Sequence, residues 1–267
     1  MTHLVNAPLV YTIGLVRFPP VPQMERFVPG FHDLIRGSYP YKDEHRIKQM
    51  QVEFGSNGVV AREEELTIWQ FAAPDRKLAL VLGSDILAMH TIAYRDHKTF
   101  IAEFGSVLAK FVEVPGIGVS LITATALRYI DLVRSDRNEA LETLLDPTVL
   151  PGPLTGAAED LEIVEGVYIA RYRAPKGEAR LQVLRTPPTV LPPDLDTPLI
   201  HHNNWTIPRP EQPFAVVDTD CSFNFPDATS LDVHRVCDHM YGLRAIGRSI
   251  FDKIGTAQAQ RIWEGKS

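Results

Sequence analysis

Apolar residues recur along this chain in two rhythms, every second residue and every third or fourth. The places where the rhythm changes divide the chain into strands and helices. Residues 9–18 (LVYTIGLVRF) are rich in β-branched and aromatic side chains and read as a strand, ended by Pro19, Pro20 and Pro22. Met24, Phe27, Val28, Phe31, Leu34 and Ile35 then fall three or four apart, a spacing that only a helix places on one face. Pro29 is expected to kink or restart that helix, and Gly37 to close it. Residues 48–54 alternate, with Met50, Val52 and Phe54 on one side, and 65–71 follow with Leu66, Ile68 and Trp69. Residues 78–82 are a continuous apolar run, and 86–93 come after a turn at Gly83, Ser84 and Asp85. Strands joined by short turns predict an antiparallel meander, not alternating βαβ units. Phe100, Phe104, Val107, Leu108, Phe111 and Val112 return to helical spacing, which Pro115 and Gly116 end.

The chain then repeats this grammar. Residues 121–133 (LITATALRYIDLV) read as a long strand, 138–145 as a short helical piece, 163–173 and 179–185 as a hairpin, and 214–221 as a further strand. A last, long helix carries Val233, Val236, Met240, Leu243, Gly247, Ile250 and Ile254 on one stripe, with Thr229 as its expected cap, Asp232 three residues on, and Gly255 as its stop. Residues 256–263 add a final turn or two. Each half opens with a strand holding an apolar–Arg–aromatic step, around Arg17 and Arg128, and closes with an amphipathic helix. The expectation is an α+β fold: a largely antiparallel sheet with long helices packed on one face. It divides into two pseudo-repeated strand-helix-strands-helix halves, 1–117 and 118–267, that build one unit. Inside the second half, residues 187–213 hold eight of the chain's 21 prolines and read as an extended, semi-rigid insertion.

Composition narrows the function classes. With 267 residues and 45% hydrophobic side chains there is ample material for a core, which excludes a wholly disordered chain. A net charge of −6 disfavours a protein that coats nucleic acid. The uncharged run 1–16 lacks a basic start, contains Asn6 and Pro8, and is too short to span a bilayer, so neither signal peptide nor membrane segment is expected. Two cysteines, Cys221 and Cys237, read as thiols of a cytoplasmic protein.

Candidate chemistry is sparse. Gly116-Ile117-Gly118 lacks the third glycine and the helix of a phosphate-binding loop. Neither Gly105-Ser106 nor Gly83-Ser84 has the context of a strained nucleophile turn. His234, Cys237, Asp238 and His239 crowd one helix without a second ligand pair, so no metal and no cofactor are expected. Asp218 and Asp220 share one side of a strand, and Asp85 holds the corresponding place in the first half; such carboxylates can share a proton or bind a divalent cation. Arg17 and Arg128 each put a permanent charge into an apolar strand, where it needs a carboxylate or an anionic ligand. An Arg–Asp pair stapling the two halves together is the structural expectation. The loop residues His201, His202, Asn203, Asn204 and Trp205 are a further candidate, and Arg171, Arg173, Lys176, Arg180 and Arg185 form a basic hairpin.

Five segments carry a family resemblance. They are Asn6-Ala7-Pro8 leading to Arg17-Phe18; Met24 to Pro29 with Gly37-Ser38-Tyr39-Pro40; Gln49 to Gly55; Leu127-Arg128-Tyr129-Ile130; and Val217-Asp218-Thr219-Asp220 before the long helix and Arg261-Ile262-Trp263. In this order they resemble the TIGR04255 family of sporadically distributed prokaryotic proteins of unknown function. The family pattern implies asparagine where Asp131 stands and histidine where Cys221 stands. Its patchy distribution is that of exchanged accessory modules, such as phage-defence or toxin–antitoxin systems. The expectation for function is therefore a non-enzymatic binding protein, with a protein partner, a second copy of itself or products of neighbouring genes. A cation-dependent hydrolase or nuclease-like enzyme using the aspartates, and a nucleic-acid binder using the basic hairpin, stand as alternatives.

Overall fold

The computed structural model describes residues 5–55, 58–134, 140–152, 163–192, 195 and 214–266. In chain order its elements are β1 (Leu9–Arg17), α1 (Val28–Ile35), β2 (Tyr41–Gly55), β3 (Gly58–Ala72), β4 (Leu78–Leu82), β5 (Ile86–Thr91), α2 (His97–Val112), β6 (Leu121–Arg134), β7 (Gly166–Ala174), β8 (Gly177–Arg185), β9 (Phe214–Ser230), α3 (Val233–Ile254) and α4 (Ala257–Trp263). The strands form one antiparallel sheet in the order β2-β3-β4-β5-β1-β6-β9-β8-β7. The chain is thus α+β, with the meander that the short turns predict. Strands β2 to β5 pair in succession, and β5 returns to lie beside β1. Likewise β7, β8 and β9 pair in succession, and β9 returns to β6. The two opening strands, β1 and β6, pair with each other in the middle of the sheet.

Alternation along a strand sends neighbouring side chains to opposite sides of the sheet. Val16, Phe71, Leu80, Leu82, Leu87, Met89, Leu127 and Cys221 bury together with Phe31 of α1, Phe104 and Phe111 of α2, and Met240 and Leu243 of α3. The alternate residues Ile13, Ile68, Val81, Ala88, Ile130 and Val216 join a second cluster with Val190 and Leu195. A third gathers Val133, Leu181, Val183 and Val217 with Ile254, Ala259 and Trp263. Phe31 meets Phe71 and Phe111 edge-on at 5.5 and 5.4 Å between ring centres, the geometry that the ring quadrupole favours. Helices α2 and α3 cross where Gly105 leaves room: a β-carbon there would sit 2.8 Å from Cys237 Sγ.

Several local expectations need correction. The restart expected at Pro29 is not one of them: a 3-10 turn at Met24–Arg26 precedes α1, whose first turn accommodates Pro29 because no intrahelical N–H is needed there. Gly37 does not close α1 with a left-handed residue; the N–H groups of Ser38 and Tyr39 both donate to Ile35 O as Tyr39 turns into the core. Strands β2, β3 and β9 run well past their apolar stretches. Because β9 extends to Ser230, Thr229 lies in the strand opposite Ile122, and Asp232 caps α3 by accepting from Arg235 N–H. The helical piece expected at 138–145 is a 3-10 turn at Leu141–Thr143.

Candidate functional site

Arg128 projects from the centre of β6, where Leu127 on one side and Ile130 beyond it must be buried to fill the two cores. The strand therefore carries a guanidinium into the interior. In the ladder Arg128 stands opposite Asp220, and Ile130 opposite Asp218. Arg128 reaches diagonally to Asp218, its Nε donating to Oδ1 at 2.8 Å and its Nη2 to Oδ2 at 2.7 Å. The two side chains are only 10% and 2% exposed. Such a fork-on-carboxylate pair supplies both charge neutralisation and hydrogen bonds, which a buried guanidinium requires.

Arg17 makes the analogous contact with Asp85 at 2.7 Å, but those side chains are 48% and 38% exposed. Arg17 of β1 thus pairs with an aspartate just before β5, the strand beside β1, and Arg128 of β6 with one on β9, the strand beside β6. The expected arginine–aspartate staple between residues 1–117 and 118–267 is not formed by these residues; the two stretches meet in the β1–β6 ladder and where α2 packs against α3. Nor do the aspartates converge on a cation: among the described residues no group of three His, Cys, Asp or Glu side chains could hold a metal.

Register lines up a polar row across the sheet. Arg171, Arg180, Asp220, Arg128, Ile13 and His90 are successive cross-strand neighbours on β7, β8, β9, β6, β1 and β5. The next row runs Ile169, Gln182, Asp218, Ile130 and Tyr11. Arg180 donates to Gln182 Oε1 at 2.7 Å. Tyr11 and His90 are both buried, with the hydroxyl 2.6 Å from Nδ1. Burial pushes the Tyr11 hydroxyl well above its ordinary range, and the Arg128 guanidinium pulls it back. Tyr11 and His90 were not candidates from sequence. The signal that singled out Arg17 and Arg128, a polar residue inside an apolar strand, also applies to His90.

The basic hairpin divides. Arg171, Arg173 and Arg180 point to the side of the polar row, whereas Arg185 faces the other way and donates to Glu142 at 2.6 Å and to Pro151 O at 3.1 Å. Lys176 sits exposed at the turn. On α3, His239 stacks on Phe223 with ring centres 4.8 Å apart and meets Phe225 edge-on, so the histidine serves packing. Burial, reinforced by the Asp220 charge, pushes the Cys221 thiol up to about 12, and burial raises Cys237 as well, so neither is an activated nucleophile. On the opposite side of β6 from Arg128, Asp131 is raised to about 8, by burial above all, with Arg248 pulling it back and Asp218 adding to the rise. The loop residues His201, His202, Asn203, Asn204 and Trp205 lie outside the described residues. No described helix is long and apolar enough to cross a membrane.

Comparison with protein families, curated proteins and solved structures returns no match to this chain.

Proposed function

We propose that this chain is a non-enzymatic binding protein whose partner docks at the sheet. In this reading the two halves are related by duplication, each returning its closing strand to its opening one. The helices gather on one side of the sheet, where Phe31, Phe104 and Met240 pack. The observation that carries the proposal is the bidentate Arg128–Asp218 pair. A carboxylate that would ligate a cation or move a proton in an enzyme is here held by a buried guanidinium, leaving that aspartate to the fold. The partner is a protein: a second copy, or the product of a neighbouring gene in a prokaryotic accessory module of the defence or toxin–antitoxin kind, as the family resemblance implies. The setting is cytoplasmic.

Affinity capture from cells that co-express the neighbouring genes tests this. The expected result is stoichiometric retention of one gene product, and no rise in melting temperature with Mg²⁺ or Mn²⁺. Cation-dependent stabilisation that disappears in Asp218→Asn and Asp220→Asn would turn the reading into the enzymatic one. Salt-sensitive retention on DNA would turn it into the nucleic-acid one.

A further inference from the structure

We infer that β7 is a docking edge to which an extended acidic peptide adds as a further strand. This inference rests on the binding reading and names the chemistry of the partner. Among the described residues β7 has a neighbour on one side only, β8. The connection to β8 is a two-residue turn, Pro175-Lys176, closed by the pair Ala174 and Gly177. The closing pair of such a turn is hydrogen-bonded, so alternation assigns the inward bonds to even-numbered residues of β7. The N–H and C=O groups of Val167, Ile169, Arg171 and Arg173 therefore face outward, available for a ladder. Nothing in the strand blunts that edge with a proline or a bulge.

The same four side chains lie on the side of the polar row. Val167 and Ile169 are 56% and 55% exposed, high for residues of their size on a strand. Arg171 and Arg173 are exposed too, and no described carboxylate forms an ion pair with either. From β6 outward the charged row reads Arg128, Asp220, Arg180, Arg171, and it ends on two adjacent cations. An incoming antiparallel strand extends each row by one position. It places acidic residues opposite Arg173 and Arg171 and apolar residues opposite Ile169 and Val167, a pattern of acidic-x-acidic-x-apolar-x-apolar. Main-chain bonds supply affinity in such strand addition, and the alternate side chains supply selectivity.

The test uses the full chain and three synthetic nonapeptides: TETETVTVT, its lysine counterpart TKTKTVTVT, and TEETTVVTT, which has the acidic composition without the alternation. Binding is read by fluorescence anisotropy and located by hydrogen exchange. The expected result is binding of the first peptide at least about tenfold tighter than the other two, with slowed exchange at Val167, Ile169, Arg171 and Arg173. The double variant Arg171→Glu, Arg173→Glu should reverse the preference toward the lysine peptide. Ile169→Pro, which removes an outward N–H and leaves the β8 ladder intact, should abolish binding without unfolding the chain. Equal affinities for the three peptides would overturn the inference. So would protection of β7 that grows with protein concentration alone, which would make the occupant a second copy, or displacement by an oligonucleotide. Peptide binding with protection confined to β6 and β9 would overturn the edge but leave the binding reading intact.

Discussion

Arg128 and Arg17 are the same residue type in the same sequence context, yet burial gives them different energetic roles. An exposed pair such as Arg17–Asp85 contributes about 0–1 kcal/mol, because water screens it and two long side chains must be ordered. Asp131 shows the reverse case, a buried acid that forms no ion pair among the described residues. Its proton is retained in the folded state up to about pH 8, whereas the unfolded chain releases it near its ordinary value of 3.8. Its contribution to stability is therefore fully favourable below about pH 3.8, declines as pH rises toward about 8, and is constant above that. Asp131→Asn keeps the shape and removes the titration. Thermal melts are expected to show the variant gaining on the parent between about pH 4 and 8. Parallel curves would mean that Asp131 ionises freely. That this position carries a carboxyl was plain in the sequence; that it is buried was not, because Asp131 shares β6 with Arg128 and only the side of the strand separates their environments.

At the scale of elements, apolar alternation located the strands but not their ends. Residues 41–47 of β2 and Asn224, Thr229 and Ser230 of β9 are mostly polar and pair through backbone bonds that leave no hydrophobic signature. The cap of α3 was misplaced for the same reason: the capping-box spacing fits Thr229, but β9 consumes that residue in its ladder with β6, and Asp232 is the next side chain able to accept. Helix packing was legible as stripes but not as partners. The α2–α3 crossing depends on Gly105, which sequence presented only as a helix interior glycine. Gly105→Ala is expected to cost about 1–3 kcal/mol by forcing Cys237 Sγ away, although alanine is the better helix former. Cys237→Ala in that background should recover most of the loss in denaturant titrations. A Gly105→Ala variant more stable than the parent would place the helices further apart. Removing the ring that links α1 and α2, by Phe111→Ala, should cost about 3–5 kcal/mol on the same measurement.

Across the whole molecule, β1 and β6 lie side by side in the middle of the sheet, β5 pairs with β1, and β9 pairs with β6. What sequence could not supply was register, and register decides which charges meet. It sets Ile130 opposite Asp218 and so puts Arg128 within reach of a carboxylate on the neighbouring strand. The same ladder carries the polar row outward to β7, where the surface turns cationic and apolar. In this reading Asp218, held by Arg128, belongs to the architecture. Equilibrium unfolding of Asp218→Asn beside Asp85→Asn tests it most directly. The account predicts a loss of about 3–5 kcal/mol for the first, which takes from a buried guanidinium the carboxylate charge it forks onto, and less than about 1 kcal/mol for the second. Asp218→Asn with undiminished stability, as expected of a carboxylate kept ready for a ligand, would contradict it.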